Sequence, residues 1–156
     1  MKQLSLIDKP ELQLGGSLSK GKRKSLRPLC SKRTLHLVLK SKKELLLNDP
    51  LNRNTFQVYL WKYSQKFNVA LYNWSIQKDH VHLQIKIPSR ENYKSFIRSL
   101  TGQLTREWGK GIWQVTPYTR VLHWGQDFEN VKKYIFQNEA EVQGFTPYKR
   151  RSNVKY

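Results

Sequence analysis

Three shortages narrow the field before any motif is read. The chain has one cysteine, Cys30, which excludes an internal disulfide and a cysteine-rich metal site and fits a reducing compartment. Acidic residues are scarce, 11 against 29 Lys and Arg, and the formal charge is +18 over 156 residues. A field of that size opposes compaction and draws in polyanions, so nucleic acid is the leading class of partner. Long apolar runs are missing too. Nothing approaches the roughly 18 residues of a membrane span, and no signal-peptide-like apolar run follows the first basic residues. The expectation is a cytoplasmic protein with no membrane partner. The 12% aromatic content argues for a packed core despite only 38% hydrophobic residues.

What is present falls into three parts. Residues 1–33 carry Gly15, Gly16, Lys22, Arg23, Lys24, Arg27 and Arg33 with little apolar periodicity, and read as a flexible basic arm. Residues 34–142 are regular, and 143–156 are a basic tail. In the regular part Leu35, Leu37 and Leu39 alternate with His36, Val38 and Lys40, which predicts a strand. Asp49-Pro50 starts a helix over about 50–67, with Phe56, Leu60, Tyr63 and Phe67 on one side. A β-prone stretch at 69–77, the turn Lys78-Asp79 and a strand at 80–87 make a hairpin. Ser89 caps a second helix that ends near Trp108 before Gly109 and Gly111. Residues 112–123 read as extended, and Asp127 is the expected cap of a last helix bearing Phe128, Val131 and Ile135. Strand–helix–strand–strand–helix–strand is the ferredoxin-like split βαβ order, an α+β fold with an antiparallel sheet. Two helices cover one face, and the extra helix would cover the other.

His80-Val81-His82 stands out. Along a strand both imidazoles share a face with Gln84 and Lys86, while Val81, Leu83, Ile85 and Ile87 point to the opposite face and the helices. Two imidazoles so spaced can chelate one divalent ion, although surface or structural histidines show the same spacing as often or more. On the last helix Tyr134 and Asn138 are four apart and share a face. If that helix packs on the open face, Tyr134, Asn138, His80 and His82 converge. Without the histidines, Tyr134 would read as an ordinary boundary tyrosine.

On these residues the chain resembles the HUH single-tyrosine transposases, and among them the REP-associated tyrosine transposases. His80-Val81-His82 is similar to their His–hydrophobic–His strand, with Lys78-Asp79 in place of the usual Pro-Asn turn. Trp113-Gln114 resembles a Trp-Gln pair before the fourth strand. Lys133-Tyr134-Ile135-Phe136-Gln137-Asn138 resembles the helix bearing the nucleophile, departing from the common pattern at Glu139-Ala140. The resemblance implies Tyr134 as nucleophile and a metal, Mg²⁺ or Mn²⁺, held by His80, His82 and Asn138, with Gln137 the rival third ligand. It implies cleavage and strand transfer of single-stranded DNA beside a hairpin through a 5′-phosphotyrosine, by a bacterial, nucleoid-associated monomer or homodimer. A phenol is a weak nucleophile until deprotonated, and Lys132, Lys133 or the metal are the groups at hand for that.

Lys22, Arg23, Lys24, Arg27, Arg33, Arg98, Arg106 and Arg120 are candidates for phosphate contact. Trp61, Trp74, Trp113 and Trp124 are candidates for base stacking, though for each a place in the core is the more common fate. His36 and His123 read as substrate-side or structural. Two rivals stay open. His80-Val81-His82-Leu83-Gln84 also fits the His-x-His-x-Gln motif of histidine-triad nucleotidyl transferases, which leaves Tyr134 and the charge unexplained. A ferredoxin-like module that binds nucleic acid without cutting it is the non-enzymatic alternative.

Overall fold

Alternation and capping decide most of the architecture. In order, the elements are β1 (Gln13–Leu14), β2 (Leu35–Lys40), α1 (Pro50–Lys66), β3 (Ala70–Ile76), β4 (His80–Lys86), α2 (Arg90–Trp108), β5 (Tyr118–Val121) and α3 (Gln126–Val142). The structure, a computed structural model, describes residues 12–149. The outer parts of the expected arm and tail, 1–11 and 150–156, lie outside the described residues.

The strands form one antiparallel sheet in the order β1-β5-β2-β4-β3. Without β1 this is fourth-first-third-second, the order that a split βαβ generates. One face is apolar. Leu35, Leu37 and Leu39 of β2 and Val81, Leu83 and Ile85 of β4 meet Phe56 and Leu60 of α1 and Phe96, Leu100 and Leu104 of α2, all at most 1% exposed. Each such side chain contributes about 1.5–3 kcal/mol by leaving water, so this face carries much of the stability.

The helix starts follow side-chain chemistry. Asp49 accepts the Leu51 N–H at 3.1 Å with Pro50 opening α1, and Ser89 accepts the Asn92 N–H at 3.2 Å to open α2. The last helix corrects the expectation. Its cap is Gly125 (φ +90°), a conformation that suits glycine, and Asp127 lies inside the first turn. There its carboxylate accepts the His123 N–H at 3.0 Å and pairs with Arg120 at 3.0 Å. The extended reading of 112–123 also shortens to β5, with one isolated bridge from Trp113 to Ser41. Pro117, which has no N–H to give a ladder, stands just before β5.

The basic arm is not uniformly without structure. Gln13 pairs with Arg120 and Leu14 with Thr119 at the free edge of β5. The turn that follows needs Gly15, at φ +103°, because a Cβ there would lie 2.0 Å from the Pro117 carbonyl oxygen. Arg27 ties the returning chain down, donating to the Leu14 carbonyl (3.0 Å) and Thr119 Oγ1 (2.7 Å). Between these anchors Lys22, Arg23 and Lys24 are exposed and outside any helix or strand.

Candidate active site

The opposite face of the sheet is polar and, at its centre, buried as deeply as the core. His36 is 3% exposed, and His82 and Gln84 are fully buried. The cover is α3, lying across β3 and β4. Near its end, Glu139 pairs with Arg53 of α1 and accepts the Ile76 N–H at 3.3 Å, and Gln77 Nε2 donates to the Asn138 carbonyl at 3.0 Å. Near its start, Gln84 Nε2 donates to the Phe128 carbonyl at 3.1 Å. A small apolar cluster of Leu122, Val131 and Ile135, with Tyr134 against it, sets the helix rotation.

That rotation aims Tyr134 at the histidines. The His80 and His82 rings lie 4.8 Å apart by centroid and nearly perpendicular, and the Tyr134 ring is 5.3 Å from His82 and 6.3 Å from His36. Both imidazoles are held from behind through Nδ1: His80 by Asp79 Oδ1 at 2.7 Å, His82 by His36 Nε2 at 3.1 Å. The hydrogen bond to His80 holds the Asp79 carboxyl below its usual range, against the effect of burial. Burial, helped by Arg120 and opposed by Asp127, pushes His36 down to about 3, so it is neutral at physiological pH.

This backing suits a metal. With Nδ1 engaged on each ring, Nε2 is the nitrogen an ion would take, and a carboxylate behind a ligating histidine raises its basicity. Asn138, 4% exposed and one turn beyond Tyr134, adds an amide to the two imidazoles. Among the described residues no three His, Cys, Asp or Glu side chains gather as a ligand cluster. The donors these residues could offer a divalent ion are therefore two imidazoles and an amide. Asp79, His80, Tyr134, Asn138, Glu141 and Tyr118 share the walls of one cavity of about 410 Å³, with Gly16 and Ser17 of the N-terminal segment at its edge.

The comparisons identify the family and the fold. The profile described as "Transposase IS200 like" matches residues 30–138, which take in all four convergent residues. The chain belongs to the IS200-like transposase family. Among solved structures it is similar to a REP-associated tyrosine transposase bound to a REP hairpin, with a TM-score of 0.66 and 18% identity over 80% of this chain and 76% of that one. It is also similar to a protein described as a transposase from Deinococcus radiodurans R1, at a TM-score of 0.47 and 17% identity over 75% of this chain and 98% of that one. The first likeness establishes the shared fold. No curated protein matches the chain in sequence.

Within this IS200-like transposase the expected site residues divide. His80, His82, Tyr134 and Asn138 come together. Gln137, the rival ligand, does not: it is exposed and bonds Glu141 at 3.3 Å along the helix, because one residue of helix rotates a side chain by about 100°. Among the cations, Arg27 is spent on the fold, Arg120 is paired with Asp127, and Arg98 and Arg106 project from α2 on the sheet's other side. Lys22, Arg23 and Lys24 stay exposed, and Arg33 is half-buried. Trp74 and Trp113 pack against the core, whereas Trp61 and Trp124 are 48% and 50% exposed. Sequence reasoning passed over Asp79, Glu139 and Glu141. For Asp79 a signal existed, a carboxylate directly before a histidine.

Proposed function

We propose that this transposase cuts and rejoins single-stranded DNA beside a hairpin, with Tyr134 as nucleophile. The observation that carries the reading is convergence: His80, Tyr134 and the buried amide of Asn138 line one cavity, and the His82 ring lies directly behind, 4.8 Å from His80 and 5.3 Å from Tyr134 by centroid. The Tyr134 hydroxyl attacks the scissile phosphorus and the 3′ oxygen leaves, giving a 5′-phosphotyrosine and a free 3′-OH. The bond's energy stays in the tyrosyl ester, so a second 3′-OH can reverse the step without a nucleotide cofactor. A divalent ion, Mg²⁺ or Mn²⁺, held by His80, His82 and Asn138 would polarise a phosphate oxygen.

The chain's own residues do the rest. Asp79 and His36 fix the orientation of the two imidazoles. The Glu139–Arg53 pair and the Gln77 contact hold α3 so that Tyr134 faces the histidines of its own chain, an arrangement that lets a monomer act in cis. The exposed Lys22, Arg23 and Lys24 meet phosphates beyond the cavity. The similar transposase bound to a REP hairpin supports a folded hairpin as the substrate feature here.

The test is a denaturing gel with labelled single-stranded hairpin DNA and Mn²⁺. A DNA-linked protein band is expected from the native chain, none from Tyr134→Phe, and little from His82→Ala. A histidine-linked nucleotide adduct indifferent to Tyr134→Phe would point instead to nucleotidyl transfer. Tight, salt-sensitive binding with no adduct across a pool of hairpins would leave a protein that binds without cutting.

A further inference from the structure

Three aromatic rings lie together at the end of α3 remote from Asn138. Trp124 and Phe128 have centroids 5.1 Å apart, and Tyr72 of β3 stands 5.5 Å from Phe128 and 6.3 Å from Trp124. Their exposure is unusual for rings so placed: Trp124 is 50% and Tyr72 43% exposed, and Phe128 is half-buried.

Two local devices hold the group in place. Leu71 pairs with Ile85 and Asn73 with Gln84, so Tyr72 is an extra residue in β3. Such a bulge re-aims a side chain, and here it brings Tyr72 to the face that α3 covers. The Trp124 indole N–H donates to the Lys32 carbonyl at 2.9 Å, which fixes the ring with half its surface in solvent. These rings are presented outward, not folded into the core.

The cluster is also cationic at its rim. The Lys86 ammonium lies over the Trp124 ring, 5.9 Å from its centroid, and Lys32 and Arg33 flank the point where the indole is anchored. Of the two acids in the first turn of α3, Asp127 and Glu129, the first is already paired with Arg120. Lys86 shares its strand face with His82, four residues away, a span of roughly 13 Å. The rings therefore stand on the same face as the cavity, a short distance along it.

We propose that Tyr72, Trp124 and Phe128 form a stacking subsite for unpaired bases of the DNA strand that leads into the cavity. The inference rests on the reading of the protein as an enzyme of single-stranded DNA. Aromatic faces exposed beside cations suit that ligand: the rings take base faces whatever the sequence, and the lysines take the phosphates between them.

The test is fluorescence anisotropy of a labelled dT20 oligonucleotide with the full chain in EDTA, so that nothing is cut. Trp124→Ala and, separately, Tyr72→Ala should each weaken binding roughly 5- to 100-fold. Trp61→Ala, an equally exposed tryptophan on α1, should leave it unchanged. The slope of affinity against salt should stay the same, since no phosphate contact is lost. An oligonucleotide with abasic positions through its centre should bind the native chain as weakly as the variants. Tyr72 is 43% exposed and its side chain donates no hydrogen bond among the described residues, unlike the Trp124 indole, so its variant keeps the test decisive if Trp124→Ala unfolds. Unchanged affinity in Tyr72→Ala, equal losses in Trp61→Ala, or a shift in oligomeric state in Trp124→Ala would overturn the subsite; the last would mean that a second copy covers it. Failure of the native chain to bind dT20 at all would overturn the single-strand reading and the subsite together.

Discussion

The two faces of β4 are equally hidden from solvent at the strand's centre and do opposite work. Val81, Leu83 and Ile85 are fully buried against α1 and α2, and on the alternate positions His82 and Gln84 are fully buried beneath α3. The apolar face needs no partners beyond shape. The polar face is held by directed contacts: His36 for His82, Asp79 for His80, and the Phe128 carbonyl for the Gln84 amide N–H, while the buried Gln84 Oε1 accepts no hydrogen bond among the described residues. Burial alone therefore does not separate scaffold from site; the density of directed contacts does.

The comparison can be broken most sharply at Tyr134. Tyr134→Phe should lose all covalent adduct on the gel while shifting the denaturation midpoint little, because the ring still packs against Val131 and Ile135. Leu83→Ala, on the other face, should do the reverse. It should cost about 2–5 kcal/mol in urea unfolding and leave the fraction of folded protein that forms adduct unchanged. A Leu83 variant that folds fully yet makes no adduct would show that the faces are not separable.

Acid should expose the polar face next. His36 is held near 3 in the folded chain against an ordinary 6.5, so the unfolded chain takes up its proton first. Stability is unaffected above the ordinary value and falls as pH drops below it. From pH 7.5 to 5 the loss is about 2 kcal/mol for the metal-free protein. Urea titrations at the two values should show it, and His36→Asn should flatten the difference. Asp79 works in a lower window: its depressed value contributes stability that is lost only as pH falls below its ordinary 3.8.

Smaller effects should sharpen the ligand assignment. Asp79→Asn should weaken Mn²⁺ binding by about 10- to 100-fold in calorimetry, the usual cost of losing a group behind a ligating histidine. Asn138→Ala should weaken it as well. Gln137→Ala should change it by less than about twofold, as expected of a solvent-facing side chain. Equal losses at 137 and 138 would return the third ligand to dispute.

The parts that sequence made legible are those governed by strict period. Alternation through 80–87 sorted the two faces of β4, and the i, i+4 spacing of Tyr134 and Asn138 put both on one side of α3. What was hidden depends on contacts between distant segments. A two-residue strand such as β1 has no period to read, and Arg27 looked like a phosphate ligand because nothing local announces Leu14 and Thr119 as its partners. The bulge at Tyr72 breaks alternation without a glycine or proline to mark it. Asp127 was misread as a cap because Gly125, two residues earlier, already satisfies the turn. Glu139 looked like a departure from a motif and is instead the anchor of α3 to α1.

The order of the elements along the chain also sets a clock. A ribosome adds about 5–20 residues per second, and 54 positions separate His80 from Tyr134. For several seconds each newborn chain holds both histidines and the strands around them while the tyrosine has yet to be made. On the proposed mechanism, a chain stalled in that interval has nothing with which to break a strand.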